Sequence, residues 1–372
     1  MEWFYKQPVK IIFGIDKIKD LYNILTNVNY KNGLLVCGPS FAENGVAEKI
    51  LDCSKGLIIK TFSDIVPNPT VDNVDNCADI IRKNNIEFIL ALGGGSPIDC
   101  AKAAASLCKT EDSIVPYHNQ EKKFGKEHIP LIAVPTTAGT GSEVTAVSVL
   151  TNPNISKKAP IASENFYPEY AIVDPALTLT VPKQITASTG LDVLSHALEG
   201  FWSKYHQPIC DAMAMYAASL VFKYLEKAYI NGEDIEAREK MSEASLIAGL
   251  AFGIPKTTGS HACSFPLTNI YKLPHGEACA FTLDYFTRIN AEAENGRVNN
   301  FAEQLGFKDA YDMADRIKEL KISMNMKVTI QDVGIKNNEV EKLAELSIHP
   351  NLLNNPVKME KEDLIEMFKS FK

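Results

Sequence analysis

Asp192 and His196 stand four residues apart in the stretch Thr189 to Lys204. On a helix that spacing is one turn, so a carboxylate and an imidazole can reach one ion. Leu191, Leu194, Leu198 and Phe201 recur at three- and four-residue intervals and form one apolar face, while Asp192, His196, Glu199 and Ser203 share another. Taken alone, an Asp-x-x-x-His pair more often describes a solvated helix surface than a site. His261 and His275 follow, fourteen residues apart, beside the loop-like Phe265-Pro266 and Leu273-Pro274. Either histidine alone reads as an ordinary structural residue. The chain has only seven histidines, however, and these three fall in segments of small and apolar residues. One Asp and three His make a set of neutral nitrogens and a carboxylate, without thiolate, that suits Fe2+ or Zn2+ and leaves a position for a substrate oxygen. The chemistry is that of a Lewis acid acting on a carbonyl or an alcohol, with a nicotinamide carrying the hydride.

A second constellation precedes it. The apolar run Ile86 to Leu92 enters Gly93-Gly94-Gly95-Ser96-Pro97-Ile98-Asp99 and then the Ala-rich Cys100 to Leu107. Strand, glycine turn and helix in this order present unpaired N–H groups to phosphate oxygens. Ser96 is expected as the N-cap, Pro97 at the first helical position and Asp99 in a capping box. An unliganded tight turn fits these residues equally well. Pro135-Thr136-Thr137-Ala138-Gly139-Thr140-Gly141-Ser142-Glu143 shifts the balance, because it sets hydroxyls and glycines just past the strand-like Ile129 to Val134. Two such loops at strand ends of one sheet face a common crevice.

A third cluster, Lys256-Thr257-Thr258-Gly259-Ser260-His261, puts a cation and three hydroxyls just before a metal-type histidine. A fixed ammonium there suits an aldehyde with an anionic tail. The bland reading is a solvated loop lysine and an uncharged short aldehyde.

These residues need a scaffold, and the pattern supplies two. Gly33 to Cys37, Gly56 to Phe62, Ile86 to Leu92, Ile129 to Val134 and Tyr170 to Val173 read as strands, with a helix over Asn73 to Asn84, which predicts a parallel sheet wrapped by helices. From about Thr186 long helical stretches take over, including Asp211 to Tyr229 and Ala237 to Gly253. A boundary near Val181-Pro182 gives an α/β domain over 1–182 and an all-α domain over 183–372, a division that suits 372 residues.

Composition narrows the function. Charged residues at 23% and hydrophobic ones at 45% are ordinary for a globular protein, and a net charge of -8 without a Lys/Arg cluster argues against nucleic acid. The eight cysteines show no C-x-x-C pair and read as reduced, mostly structural thiols. Met1 to Lys10 lacks the pattern of a signal peptide and no apolar run has membrane-spanning length, so the expected location is the cytoplasm.

Pro67-Asn68-Pro69-Thr70, Gly93 to Ser96 with Asp99, Pro135 to Glu143, Asp174-Pro175, Gly190 to Glu199, His261-Ala262 and His275-Gly276 occur in one order over most of the chain. This series resembles the iron-containing (group III) alcohol dehydrogenases. The resemblance implies a dehydroquinate synthase-like architecture, with a dinucleotide-binding α/β domain, a helical metal-binding domain, an active site in the cleft between them, and a homodimer. Matching positions imply metal binding by Asp192, His196, His261 and His275. They also imply pyrophosphate contacts at Gly94, Gly95 and Ser96, with Asn68, Asp99, Thr136, Thr137, Thr140, Ser142 and Lys158 nearby. The wording around Lys256 is similar to the phosphonoacetaldehyde reductases, a branch of that family; butanol-type dehydrogenases are the uncharged alternative.

The chain departs from the family at two places. Many members carry a further histidine four residues after the third metal ligand, where this chain has Phe265, so the proton must come from water at the metal, a ribose hydroxyl or another side chain. After the Leu34-Leu35-Val36 strand, NAD-preferring members often place an aspartate, but here Cys37-Gly38-Pro39-Ser40 stands. Gly38 and Ser40 do not repel a 2′-phosphate, which favours NADP(H) over NAD(H). A dehydroquinate synthase-like cyclase is the competing enzyme class, though its metal set normally contains glutamate. A nucleotide-binding sensor without catalysis would predict broken metal positions, and all four are intact.

Overall fold

The computed structural model describes residues 2–155 and 157–372, so the first residue of the Met1–Lys10 stretch lies outside it. The chain forms two compact units, one of Lys6–Thr137 with Gly141–Thr178, the other of residues 2–5, Ala138–Thr140 and Leu179–Lys372.

The first unit is α/β. Its strands are β1 (Lys10–Phe13), β2 (Gly33–Cys37), β3 (Ile58–Phe62), β4 (Phe88–Gly93), β5 (Leu131–Pro135), β6 (Val147–Asn152), β7 (Lys157–Ala162) and β8 (Tyr170–Val173). Six of them make a parallel sheet in the order β1-β8-β5-β4-β2-β3, and β6 pairs antiparallel with β7 as a separate hairpin. β2, β4 and β5 are buried at every residue, as strands covered on both faces must be. Alternate side chains divide between two cores: Leu34, Val36, Ile89, Ala91 and Ala133 on one face, Leu35, Leu90, Leu92, Ile132 and Val134 on the other. Helices α1 (Leu21–Asn27), α2 (Pro39–Glu43), α3 (Val46–Ser54), α4 (Val71–Lys83), α5 (Gly95–Ala105) and α6 (Val115–His118) complete the unit.

The expected strands form, but three start two residues late, because the residues before them are spent elsewhere. Leu57 donates its N–H to Ser54 and Ile86 donates to Ile81, each closing the preceding helix, and Pro130 has no N–H to give. β1 and the β6–β7 hairpin are additions to the expected set. The sheet reverses direction of growth at β2 and β4, since β3 lies on one side of β2 and β4 on the other. In such sheets the crevice beyond the carboxyl ends at this reversal is where ligands bind.

The second unit is helical: α7 (Lys183–Trp202), α8 (Pro208–Ile230), α9 (Ile235–Phe252), α10 (Gly259–Asn269) and α11 (His275–Ile289) come first, and further helices follow to Ser370. α7 packs against α8, α9 and α11 and is buried on nearly every side from Thr186 to Trp202. A helix so enclosed has no solvated face. The polar face carrying Asp192, His196 and Glu199 is therefore interior, contrary to the solvated-surface alternative. Phe265-Pro266 also differs from expectation, as both residues lie inside α10. Pro266 costs that helix one N–H bond without ending it. No helix among the described residues is long and apolar enough to cross a membrane.

Candidate active site

α7, α10 and α11 bring Asp192, His261 and His275 together within the helical unit, and His196 meets them through His261 and Asp192. His261 Nε2 lies 3.2 Å from His196 Nε2 and 3.7 Å from Asp192 Oδ1, and His196 Nε2 lies 3.9 Å from that same oxygen. The rings of His261 and His275 stand 5.5 Å apart at 72°. One donor atom each from Asp192, His261, His275 and Cys279 falls within 4.8 Å of all the others. Cys279 was read as a structural thiol in the sequence, and its placement here is new. It sits one helical turn after His275, with Sγ 3.8 Å from His275 Nε2.

Two small residues make this convergence geometrically possible. A Cβ on Gly276 would lie 2.0 Å from the Ser188 carbonyl oxygen and 2.9 Å from Asp192 Cβ, so only glycine lets α11 press its first turn against α7. A Cβ on Gly259 would meet the Phe286 ring at 2.1 Å, which fixes the start of α10 against α11 in the same way. Phe252 of α9 stacks on His196 with centroids 4.1 Å apart and planes at 8°, holding that imidazole flat.

Glu199, one turn beyond His196 pair-wise down α7, anchors the third ligand. Its Oε1 accepts from the N–H groups of Thr258 (3.0 Å), Ser260 (2.8 Å) and His261 (3.3 Å) and from Thr258 Oγ1 (2.8 Å), and Oε2 accepts from His261 Nδ1. The carboxylate thus caps α10 and fixes the His261 tautomer, leaving Nε2 aimed into the cluster. Trp202 Nε1 donates to Thr258 Oγ1 at 2.8 Å and completes the network. Burial alone would raise Glu199, but His261 and the Thr258 hydroxyl outweigh it and hold its carboxyl below the ordinary range. Burial, reinforced by His261, drives His196 well below the usual histidine pKa, so its imidazole is neutral. Burial likewise opposes a charge on His261, yet Cys279 and Glu199 facing it raise its pKa well above the usual value. Burial pushes the Cys279 thiol up to about 11.

A divalent ion fits this arrangement. Asp192 Oδ1 is buried with no hydrogen-bond partner among the described residues, and an orphaned carboxylate oxygen facing imidazole nitrogens is costly unless a cation satisfies it. The sequence showed Glu199 on the right helix face without a role for it. Its signal was the i, i+3 spacing from His196, which becomes meaningful only beside α10.

The α/β unit holds the expected cofactor-binding residues other than Thr140. Parallel register pairs Cys37 with Leu92 and Gly93 with Pro135, so the loops after β2, β4 and β5 leave one end of the sheet side by side. Gly38 precedes α2, with Ser40 exposed in its first turn. Gly94, not Ser96, is the N-cap of α5, and no side chain caps that helix, which leaves the N–H groups of Gly95 and Ser96 for a ligand. The expected capping by Ser96 fails because Gly93, at φ 143°, turns the chain early and the helix begins at Gly95. Ser96 Oγ instead accepts from the Asn68 N–H at 3.2 Å, and Asn68 Oδ1 accepts from Lys158 Nζ at 2.8 Å. A Cβ on Gly94 would approach Thr137 Oγ1 to 3.2 Å, so this wall of the turn is tight.

Asp99 is likewise not in a capping box. It accepts from Ser142 Oγ at 2.6 Å and from the Val149 N–H at 2.9 Å, tying α5 to the hydroxyl loop and to β6. Ser142 Oγ also accepts from Lys102 Nζ at 2.8 Å. Lys102 is fully buried, and burial lowers its pKa to about 8. A lysine in an otherwise apolar Ala-rich helix was the available signal for it. Thr136 is buried and donates its N–H to the Gly93 carbonyl at 3.0 Å, whereas Thr140 belongs with Ala138–Thr140 to the helical unit.

Of the Lys256–Ser260 cluster, Thr258 is committed to Glu199, and Thr257 Oγ1 accepts from Asn351 Nδ2 at 2.8 Å. Lys256 is exposed at φ 70°, with Nζ 3.3 Å from the Gly253 carbonyl. Desolvation by its surroundings draws its pKa below the usual lysine value. Phe265 packs against His349 with centroids 4.5 Å apart.

An uncapped glycine turn at the sheet's reversal suits the pyrophosphate of a dinucleotide, and a buried Asp/His cluster suits a divalent ion. Residues 8–175 match the family model described as iron-containing alcohol dehydrogenase, and residues 186–371 match the model of that family's C-terminal part. The chain is 34% identical to 1,3-propanediol dehydrogenase of Citrobacter freundii, covering 98% of this chain and 97% of that one. It is 32% identical to the NADPH-dependent butanol dehydrogenase of Clostridium saccharobutylicum, with 97% and 96% covered. The structure of sulfoacetaldehyde reductase from Bifidobacterium kashiwanohense in complex with NAD+ superposes with a TM-score of 0.98 at 54% identity, over 100% of this chain and 99% of that one. The chain belongs to the iron-containing alcohol dehydrogenase family. It is an NAD(P)-dependent enzyme that moves a hydride between nicotinamide and a small alcohol or aldehyde.

Proposed function

We propose that this enzyme reduces a two-carbon aldehyde bearing an anionic tail, with sulfoacetaldehyde the preferred substrate. The observation that carries this reading is the 54% end-to-end identity to a sulfoacetaldehyde reductase, against 34% or less to the propanediol and butanol enzymes. Lys256 supports it as a point charge just before His261. One ammonium matches a sulfonate monoanion, whereas a phosphonate approaches two charges at neutral pH.

A bound ion supplies a Lewis acid to the carbonyl oxygen, and a bound nicotinamide supplies the hydride. Asp192, His196, His261 and His275 would hold the Fe2+ or Zn2+, and Glu199 would keep His261 in its ligating tautomer. Gly94, Gly95 and Ser96 would hold the pyrophosphate on α5, with Asn68, Asp99, Thr136, Thr137, Ser142 and Lys158 shaping that turn. Gly38 and Ser40 would face the adenosine ribose. With no acid in that loop, NADP(H) and NAD(H) would both be accepted, with NADP(H) preferred. The α/β domain would thus carry the dinucleotide and the helical domain the metal. The enzyme would work as a homodimer, as the family resemblance implies, and in the cytoplasm, a location supported by eight cysteines that are all free.

Steady-state kinetics on sulfoacetaldehyde, phosphonoacetaldehyde and butyraldehyde, each with NADH and NADPH, test the reading. Sulfoacetaldehyde should lead in kcat/KM by at least about tenfold, and Lys256→Ala should raise its KM while leaving that for butyraldehyde alone. Equal kcat/KM for butyraldehyde would refute the anionic substrate, and a lead for phosphonoacetaldehyde would move the assignment to the phosphonate.

A further inference from the structure

Phe265 is the one residue from Gly259 to Thr268 that is not buried, and it follows His261 by one turn on the same face of α10. The face that carries this histidine therefore opens at Phe265. The His349 ring packs there, with centroids 4.5 Å apart, and is itself half-buried. His349 also caps the short 3-10 helix Pro350–Asn354, its Nδ1 accepting the Asn351 N–H at 3.2 Å. Nδ1 is thus the acceptor nitrogen, and in the neutral ring Nε2 carries the proton. Burial, against a smaller pull from Asn351, draws the pKa below the usual histidine value, so the ring is neutral at pH 7. The same short helix grips the backbone on both sides of Lys256. Asn354 Nδ2 donates to the Pro255 carbonyl at 2.9 Å and to the Thr257 carbonyl at 3.3 Å, and Asn351 Nδ2 donates to Thr257 Oγ1 at 2.8 Å. These bonds pin Lys256 at φ 70°, a left-handed conformation that residues with long side chains rarely take. One segment therefore fixes an exposed ammonium and an imidazole N–H donor beside the turn of α10 that carries His261.

We propose that His349 is a specificity-determining residue whose Nε2–H hydrogen-bonds the sulfonate of the substrate, together with Lys256, while the carbonyl lies on the His261 side. This rests on the reading of the substrate as a two-carbon aldehyde with an anionic tail. The span agrees: such an aldehyde reaches roughly 4–5 Å from its carbonyl oxygen to its sulfonate oxygens, close to the rise of about 5.4 Å per helical turn that separates His261 from Phe265. The Phe265 ring offers an apolar surface to the single methylene between the two ends. The two tail contacts differ in kind. Lys256 supplies charge on a flexible stem, whereas the capped imidazole supplies one N–H in a fixed direction, and a donor to an ionised acceptor makes a strong bond.

Two variants of the metal-loaded enzyme separate tail binding from capping. His349→Asn keeps an acceptor for the Asn351 N–H and removes the Nε2 donor, while His349→Gln sets an amide N–H donor near the Nε2 position. His349→Asn should raise KM for sulfoacetaldehyde about 10–100-fold, with kcat within about twofold and KM for butyraldehyde unchanged. Calorimetric titration of the NADH-loaded enzyme with 2-hydroxyethanesulfonate, the product alcohol, forms a complex that cannot react, and its Kd should rise by the same factor. His349→Gln should bind that alcohol several-fold more tightly than His349→Asn. Unchanged KM and Kd in His349→Asn overturn the proposal, as does equal binding by the two variants. An equal rise in KM for both aldehydes overturns it by showing a structural role, and a loss of kcat on both at unchanged Kd does so by making His349 a proton carrier. A wild type without preference for sulfoacetaldehyde over butyraldehyde overturns the substrate reading itself, and this proposal with it.

Discussion

Replacing Glu199 by glutamine preserves the side chain's shape and removes the charge that faces His261. Five donors converge on that carboxylate, four on Oε1 and His261 Nδ1 on Oε2. An amide can accept at only one end, so His261 would lose either its tautomer or its orientation. Glu199→Gln should therefore weaken metal binding by about 10–100-fold, read by competition with a chromogenic chelator. Undiminished affinity would reduce Glu199 to a helix cap. Residues of this kind are only half legible in a sequence. Asp192, His196, His261 and His275 stood out because imidazoles are scarce among small and apolar neighbours. Cys279 did not, since one thiol among eight says nothing until a glycine lets its helix touch another.

At the scale of elements, the decisive contact is the approach of α11 to α7. The Gly276→Ala methyl would need 2.0 Å of separation from the Ser188 carbonyl oxygen, a distance that real atoms never hold, so α11 must back away and carry His275 with it. Elemental analysis of Gly276→Ala should show metal well below one ion per chain, while dinucleotide binding, followed by cofactor fluorescence, persists. Full metal content would show that the close approach is dispensable. The buried strands were readable because their apolar runs are unbroken. β1 was not, because its apolar run, Ile11 to Phe13, is only three residues long. Ser96 misled as a cap because the residue type was right, but the glycine before it turned the chain first.

The stability of the whole molecule should carry the signature of one buried acid. Glu143 is only 2% exposed, and burial, against a smaller pull from Lys102, raises its pKa to about 7 from 4.5. As pH rises from 4.5 to 7 the unfolded chain gives up this proton while the folded chain keeps it, so folding loses stability across that window and the loss is complete above pH 7. The size is on the order of 3 kcal/mol. Glu143→Gln should therefore unfold at a higher urea concentration than the wild type at pH 8 and at nearly the same concentration at pH 4.5. A mutant advantage that does not change with pH would show that Glu143 does not titrate in this range.

The hydroxyl loop has a consequence for how the molecule is made. The chain passes between the two units after Tyr5, Thr137, Thr140 and Thr178, so neither is a single stretch of sequence. On the ribosome, every strand of the α/β unit has emerged once Val173 is clear of the exit tunnel, and that unit can begin to close. Residues 2–5 and Ala138–Thr140 are made early as well, but they have nothing to pack on until the helices from Leu179 onward appear. Gly139, whose N–H finally meets Ser245 Oγ at 2.7 Å, must wait for more than a hundred residues of further synthesis. The loop that carries the hydroxyls is thus finished last, and a nascent chain stalled before α9 would hold a folded sheet with an unfinished rim.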